Sequence, residues 1–199
     1  MVKIKKINIF LLLIVTSLIF VSCTNGTNPE TISSTKEGEF LRSGGAEKAI
    51  NELKKMSKFK GKKIMVFQDI QFVNPEGLER IYISLSDPNK PKNIDKYEYY
   101  NGVWKDPIPV NVTGGDWDLD ANLTNINDIN YKGIPKMIKI LEKKAKSIEG
   151  GKVGESFTYR YEPSRDMPRF FQMYVEGTRE SYIAIFEGKN GKLIEFTKN

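Results

Sequence analysis

The feature that most restricts the fold of this chain is a series of short apolar sets with a period of two. Ile64 and Val66 open the series, continued less regularly by Ile70 and Phe72. Ile81, Ile83 and Leu85 form the next set. After Tyr97 and Tyr99 come Phe157, Tyr159 and Tyr161, then Phe171, Met173 and Val175, then Tyr182, Ala184 and Phe186. Successive side chains of a strand leave on opposite sides, so such sets predict strands with one buried and one polar face. Asn101-Gly102 separates Tyr97-Tyr99 from Val103-Trp104, and Asn190-Gly191 precedes Leu193, Ile194 and Phe196. Asn-Gly between β-prone residues predicts a hairpin, because both central residues of a type I′ turn need positive φ.

Two stretches follow a helical period instead. Ala46, Ala49, Ile50, Leu53 and Met56 recur at three- and four-residue intervals, as do Ile134, Met137, Ile138, Leu141, Ala145 and Ile148. Pro135 suits a first helical turn, and Gly150-Gly151 suit an end. The two passages look like copies. Ile50 and Ile138, Leu53 and Leu141, and Pro75 and Pro163 are each 88 residues apart; the Asn-Gly pairs are 89 apart. Features in one order at one offset suggest an internal repeat, the alternative being two generic stretches of the same kind. The expected fold class is α+β: two tandem units, 46–133 and 134–199, each a helix followed by a three- to four-stranded antiparallel meander. A helix with one apolar stripe and a sheet with one apolar face stabilise each other by packing.

The N-terminus has a different character. Residues 1–6 carry Lys3, Lys5 and Lys6, and Ile7 to Val21 are almost entirely apolar. A basic start, an apolar run of this length and small residues at its end predict a secretory signal over 1–22. The run is short of the roughly 20 residues that a spanning helix needs. Residues 23–45 are rich in Thr, Ser, Asn, Gly and Glu, and read as a flexible tether. The single cysteine, Cys23, stands directly after Phe20-Val21-Ser22.

Phe20-Val21-Ser22-Cys23 resembles the lipobox of bacterial lipoproteins, with Phe20 where leucine is usual. The resemblance implies that Cys23 is acylated on sulfur and becomes the new N-terminus, anchoring the protein to a membrane of the cell envelope; an ordinary signal peptide is the alternative. A secreted domain with no other cysteine has no disulfide to make. Loss of Lys3, Lys5 and Lys6, with no acid in the same segment, takes the formal charge from +6 to +3. That gives no case for a nucleic-acid partner, which needs a concentrated basic face.

The helix Ile134–Ile148, the pair Ser181–Glu187 and Gly191–Thr197, and the turn Gly188-Lys189-Asn190-Gly191-Lys192-Leu193 carry a second resemblance. They are similar to the tandem helix-plus-meander folds of the β-lactamase inhibitor protein type and to PepSY domains. That resemblance concerns element order and implies fold, not function.

Chemistry-bearing patterns are few. The chain has no histidine, which removes the commonest general base and transition-metal ligand. With one cysteine, zinc sites of the usual kind are excluded as well. Gly114-Gly115 and Gly150-Gly151 lack the flanks of a phosphate-binding loop. Asp116, Asp118 and Asp120 resemble the start of a calcium loop, but Ala121 replaces its glycine and Asn127 its last carboxylate. Their alternation with Trp117, Leu119, Ala121 and Leu123 equally fits an amphipathic strand or covering loop. Lys54, Lys55, Lys58, Lys60, Lys62 and Lys63 form a basic run that could meet lipid headgroups or an acidic partner, or be solvated. Tyr97, Tyr99, Tyr100 and Trp104 surround one hairpin, as interface or packing residues.

The expectation is a non-catalytic, cofactor-free, lipid-anchored binding module for another envelope or extracellular protein. Tyr97, Tyr99 and Trp104 are its candidate contact residues. The competing expectation is a small-ligand or calcium binder, or a carboxylate hydrolase, with its site between the two units.

Overall fold

The computed structural model describes residues 38–112 and 118–199. The chain enters through α1 (Glu39–Arg42) and α2 (Gly45–Lys55). Five strands follow: β1 (Met65–Val73), β2 (Arg80–Asp87), β3 (Lys90–Tyr100), β4 (Val103–Trp104) and β5 (Ile108–Val110). After β6 (Leu123–Asn125) and α3 (Ile134–Ala145) come β7 (Lys152–Val153), β8 (Ser156–Tyr161), β9 (Arg169–Glu176), β10 (Ser181–Glu187) and β11 (Leu193–Lys198). The folded part begins earlier than the polar composition of residues 23–45 suggests. Phe40 and Leu41 of α1 are buried, and the Phe40 ring stacks on Tyr99 with centroids 5.7 Å apart.

All eleven strands belong to one antiparallel sheet, which overturns the expected pair of helix-plus-meander units. Its order is β11-β10-β9-β8-β1-β2-β3-β4, with β5 also on β3, β6 on β1 and β7 on β9. The cause of the difference is the pairing of β1 with β8, through Ile70–Tyr159, Gln71–Thr158, Phe72–Phe157 and Val73–Ser156. Strands that would have been outer edges of separate meanders satisfy each other's backbone groups at the centre of the sheet. The Asp69 side chain extends this seam by accepting the Tyr161 backbone N–H at 2.9 Å.

The helices cover one face of the sheet, and a single apolar cluster lies between. Ala46, Ala49, Ile50 and Leu53 of α2 and Ile134, Met137, Ile138, Leu141 and Ala145 of α3 contribute the helix side. The in-phase residues of the strands contribute the other side: Ile70 and Phe72, Ile81, Ile83 and Leu85, Phe171, Met173 and Val175. A bulge explains the irregular spacing in β1. Gln68 has a φ of 53°, and the register slips by two residues between Phe67 and Ile70, so Val66, Ile70 and Phe72 keep one face. Asn101 and Gly102, with φ of 43° and 92°, close the β3–β4 hairpin as the sequence predicts.

Candidate binding face

The face of the sheet turned away from the helices carries the out-of-phase residues of the same strands. Register pairs trace one row across seven of them: Glu195, Ile185, Gln172, Thr158, Gln71, Tyr82 and Glu98. At about 4.8 Å per strand this row spans roughly 29 Å. A second row places Val73, Arg80 and Tyr100 side by side on β1, β2 and β3, and Tyr174 beside Ile183 on β9 and β10. Tyr82, Tyr100, Tyr174, Gln172 and Thr158 are half-buried here, while Gln71, Lys96 and Arg160 are exposed.

These side chains hold one another in place. The Arg80 guanidinium lies 4.9 Å from the Tyr100 ring centre and 5.8 Å from that of Tyr82. Glu98 pairs with Arg80 at 3.4 Å and with Lys105 at 3.2 Å. The Lys96 ammonium lies 4.6 Å from the Tyr82 ring centre. On the other side of the seam, the Gln172 amide donates to the Tyr174 hydroxyl and accepts from Arg160 at 3.3 Å. Planar aromatic and guanidinium groups fixed by neighbours lose little freedom on contact with a partner.

The contact residues expected from the hairpin lie on the wrong side for that role. Tyr97 and Tyr99 are 2 % and 4 % exposed, in phase with the core, so the expectation that they meet a partner is corrected. Tyr97 packs edge-on against Phe59, and Tyr99 lies between Phe40 and Trp104. Trp104 is half-buried against the same cluster. Burial raises the phenol of Tyr97 above its ordinary value and pushes that of Tyr99 up to about 12. The aromatics that do face outward, Tyr82 and Tyr174, were legible by parity. Each stands between two core residues: Ile81 and Ile83 for one, Met173 and Val175 for the other.

Cys23 and Asp116 lie outside the described residues. Asp118 accepts the backbone N–H groups of Asp120 and Ala121 at 2.9 and 3.3 Å, so its carboxylate starts a 3-10 turn over Asp120–Asn122. Among the described residues no three acids, cysteines or histidines are grouped closely enough to hold a metal ion. In the basic run, Lys58 is engaged internally with Asp95 at 2.8 Å and Asp87 at 3.1 Å. Burial works against its charge, but the hydrogen bonds it donates to Asp95, Tyr97 and Asp87 outweigh that and raise its pKa.

A cavity of about 550 Å³ opens at the rim of the sheet near the ends of β6, β9 and β10. Asp128, Glu187, Lys63, Lys189 and Arg169 line it together with Met65 and Met167. Arg169 donates through one terminal nitrogen to the carbonyls of Ala121 and Leu123, at 2.9 and 3.0 Å, and its guanidinium stacks 4.3 Å from the Tyr161 ring centre. Among the described residues its other terminal nitrogen is buried without a hydrogen-bond partner.

No family model matches the chain, a PepSY model included, and no curated protein matches it. Among solved structures, the fold is similar to that of a presumed lipoprotein from Clostridium difficile 630, with a TM-score of 0.52. The likeness covers 77 % of this chain and 91 % of that one at 14 % sequence identity, and at such identity what the two chains share is a fold.

Proposed function

We propose that this chain is a cell-envelope lipoprotein, acylated at Cys23, whose helix-free sheet face binds another protein without catalysis. The leader and the lipobox-like Phe20-Val21-Ser22-Cys23 support the anchor. So does the fold shared with a presumed lipoprotein. Among the described residues no helix is long and apolar enough to cross a membrane. The observation that carries the binding function is the preformed Tyr82–Arg80–Tyr100 stack on the β1–β3 part of the helix-free sheet face. Tyr and Arg dominate binding energy at protein interfaces.

Capture of a partner from envelope extract tests the reading. The chain retains a defined protein, and the double variant Tyr82→Ala/Arg80→Ala loses that retention by about tenfold or more. Unchanged retention by the double variant rejects this face as the site. Metabolic palmitate on the wild type but not on Cys23→Ala tests the anchor.

A second reading is a binder of a small polar ligand in the rim cavity. The half-engaged Arg169 guanidinium beside Asp128 and Glu187 favours it. Retention of a small molecule, sensitive to Arg169→Lys and indifferent to Tyr82→Ala, distinguishes it from the first.

A further inference from the structure

The outer surface of α3 carries a lysine stripe that the binding face does not account for. Lys132, in the 3-10 turn before the helix, is followed by Lys136, Lys139 and Lys143 at intervals of four, three and four. All four are exposed. At about 100° per residue the stripe lies roughly 170° round the helix from the centre of its buried side, Ile134, Met137, Ile138, Leu141 and Ala145. It therefore points directly away from the sheet.

The other charges of α3 are turned aside and engaged. Glu142 pairs with Arg42 at 2.8 Å. The Lys144 ammonium lies 4.5 Å from the Phe196 ring centre. By contrast, none of the four stripe lysines takes part in an ion pair among the described residues. Residues 132–146 hold six lysines and one acid, a formal +5. The chain after residue 22 carries +3 in total, so everything outside this short segment sums to −2. The back of α3 is one of two concentrated basic segments; in the other, residues 54–63, Lys58 is held by Asp95 and Asp87 and Lys62 by the Asn89 side chain.

We propose that this stripe docks on the anionic headgroups of a phospholipid bilayer. A row of flexible ammonium groups about 16 Å long suits a surface that presents charge density rather than shape. Basic residues beside a lipid anchor add electrostatic attraction to an anionic surface, at about 1 kcal/mol per lysine. The choice of a bilayer over other polyanions rests on the lipid-anchor reading above. The orientation is compatible with the binding face: α3 against the membrane turns Gln71, Tyr82 and Tyr174, on the opposite side of the sheet, toward solution.

The test uses the chain from Thr24, which keeps all the described residues and lacks the apolar leader. Cosedimentation is measured with phosphatidylcholine vesicles and with vesicles containing about one-third phosphatidylglycerol. The expected result is binding to the anionic vesicles only, lost as salt shortens the screening length. The triple variant Lys136→Gln/Lys139→Gln/Lys143→Gln binds about 100-fold more weakly, at roughly fivefold per neutralised lysine. The triple variant Lys60→Gln/Lys63→Gln/Lys189→Gln changes net charge equally and keeps most of the binding. Equal binding to both vesicle types, or equal losses in the two variants, overturns the proposal. So does a DNA duplex that holds the chain at salt concentrations where vesicles release it. Palmitate labelling of Cys23 is read separately on the full chain, so the anchor and the stripe fail independently.

Discussion

The Trp104 indole N–H donates to the Ala49 carbonyl at 2.9 Å, tying the strand after the Asn101-Gly102 turn to the middle of α2. The Tyr99 ring fills the space beneath, edge-on to Trp104 at 5.4 Å. Strand, turn and helix are thus fastened at one point. Trp104→Phe keeps a ring there and removes the donor. It should lower unfolding free energy by about 1 kcal/mol, the net value of one such bond. The urea midpoint should fall with an unchanged slope; a midpoint equal to wild type would show that the bond contributes nothing.

Leu141 is fully buried at the centre of the α3 apolar stripe. Leu141→Ala should cost about 2–5 kcal/mol, from lost transfer energy and the cavity left behind. Lys139→Ala, two residues earlier on the outer side, should stay within about 0.5 kcal/mol of wild type. Thermal unfolding of both variants checks the contrast, and similar losses would mean that the helix is not packed by this stripe.

Acid should weaken the attachment of Lys58. Asp87 accepts the Asn89 N–H, loses somewhat by burial, and pairs with Lys58; the result is a carboxyl held below its usual range. A depressed folded-state pKa gives stabilisation that is present above the unfolded value of about 3.9 and fades as pH falls through the lower folded value. Asp87→Asn should remove that part of the acid dependence while leaving the rest. Denaturant titrations from neutral pH downward would show parallel curves for the two proteins if Asp87 played no part.

Alkali should act through the phenols. Burial raises Tyr131 well above its ordinary value, Tyr99 to about 12, and Tyr97 and Tyr159 in the same direction. Unfolded tyrosine ionises near 10, so stability is complete below that pH and is lost as pH rises toward the folded values. A spectrophotometric titration should show these four ionising only with unfolding. Smooth titration of every tyrosine near pH 10 in folded protein would contradict the packing described for them.

Local structure was largely legible. The three- and four-residue spacing from Ile134 to Ala145 predicts a helix, and one forms there. Phe171, Met173 and Val175 predict a strand with that face buried, as found. Lateral order was not legible. Phe72 pairs with Phe157 and Ile70 with Tyr159, contacts between distant segments whose alternation would suit any neighbour. The hairpin aromatics misled because Tyr97 and Tyr99 share a phase, and only the third dimension shows that this phase faces the helices. Phe40 and Leu41 were hidden by brevity, since a four-residue helix is too short to display a period.

The β1–β8 ladder has a consequence for any shortened form of this molecule. Either half made alone would present the bare backbone donors and acceptors of a central, mostly apolar strand. Such fragments should pair with copies of themselves and precipitate. Two complementary pieces synthesised together should instead find each other and restore the missing rungs. Cooperative unfolding in a single step is the counterpart in the intact molecule.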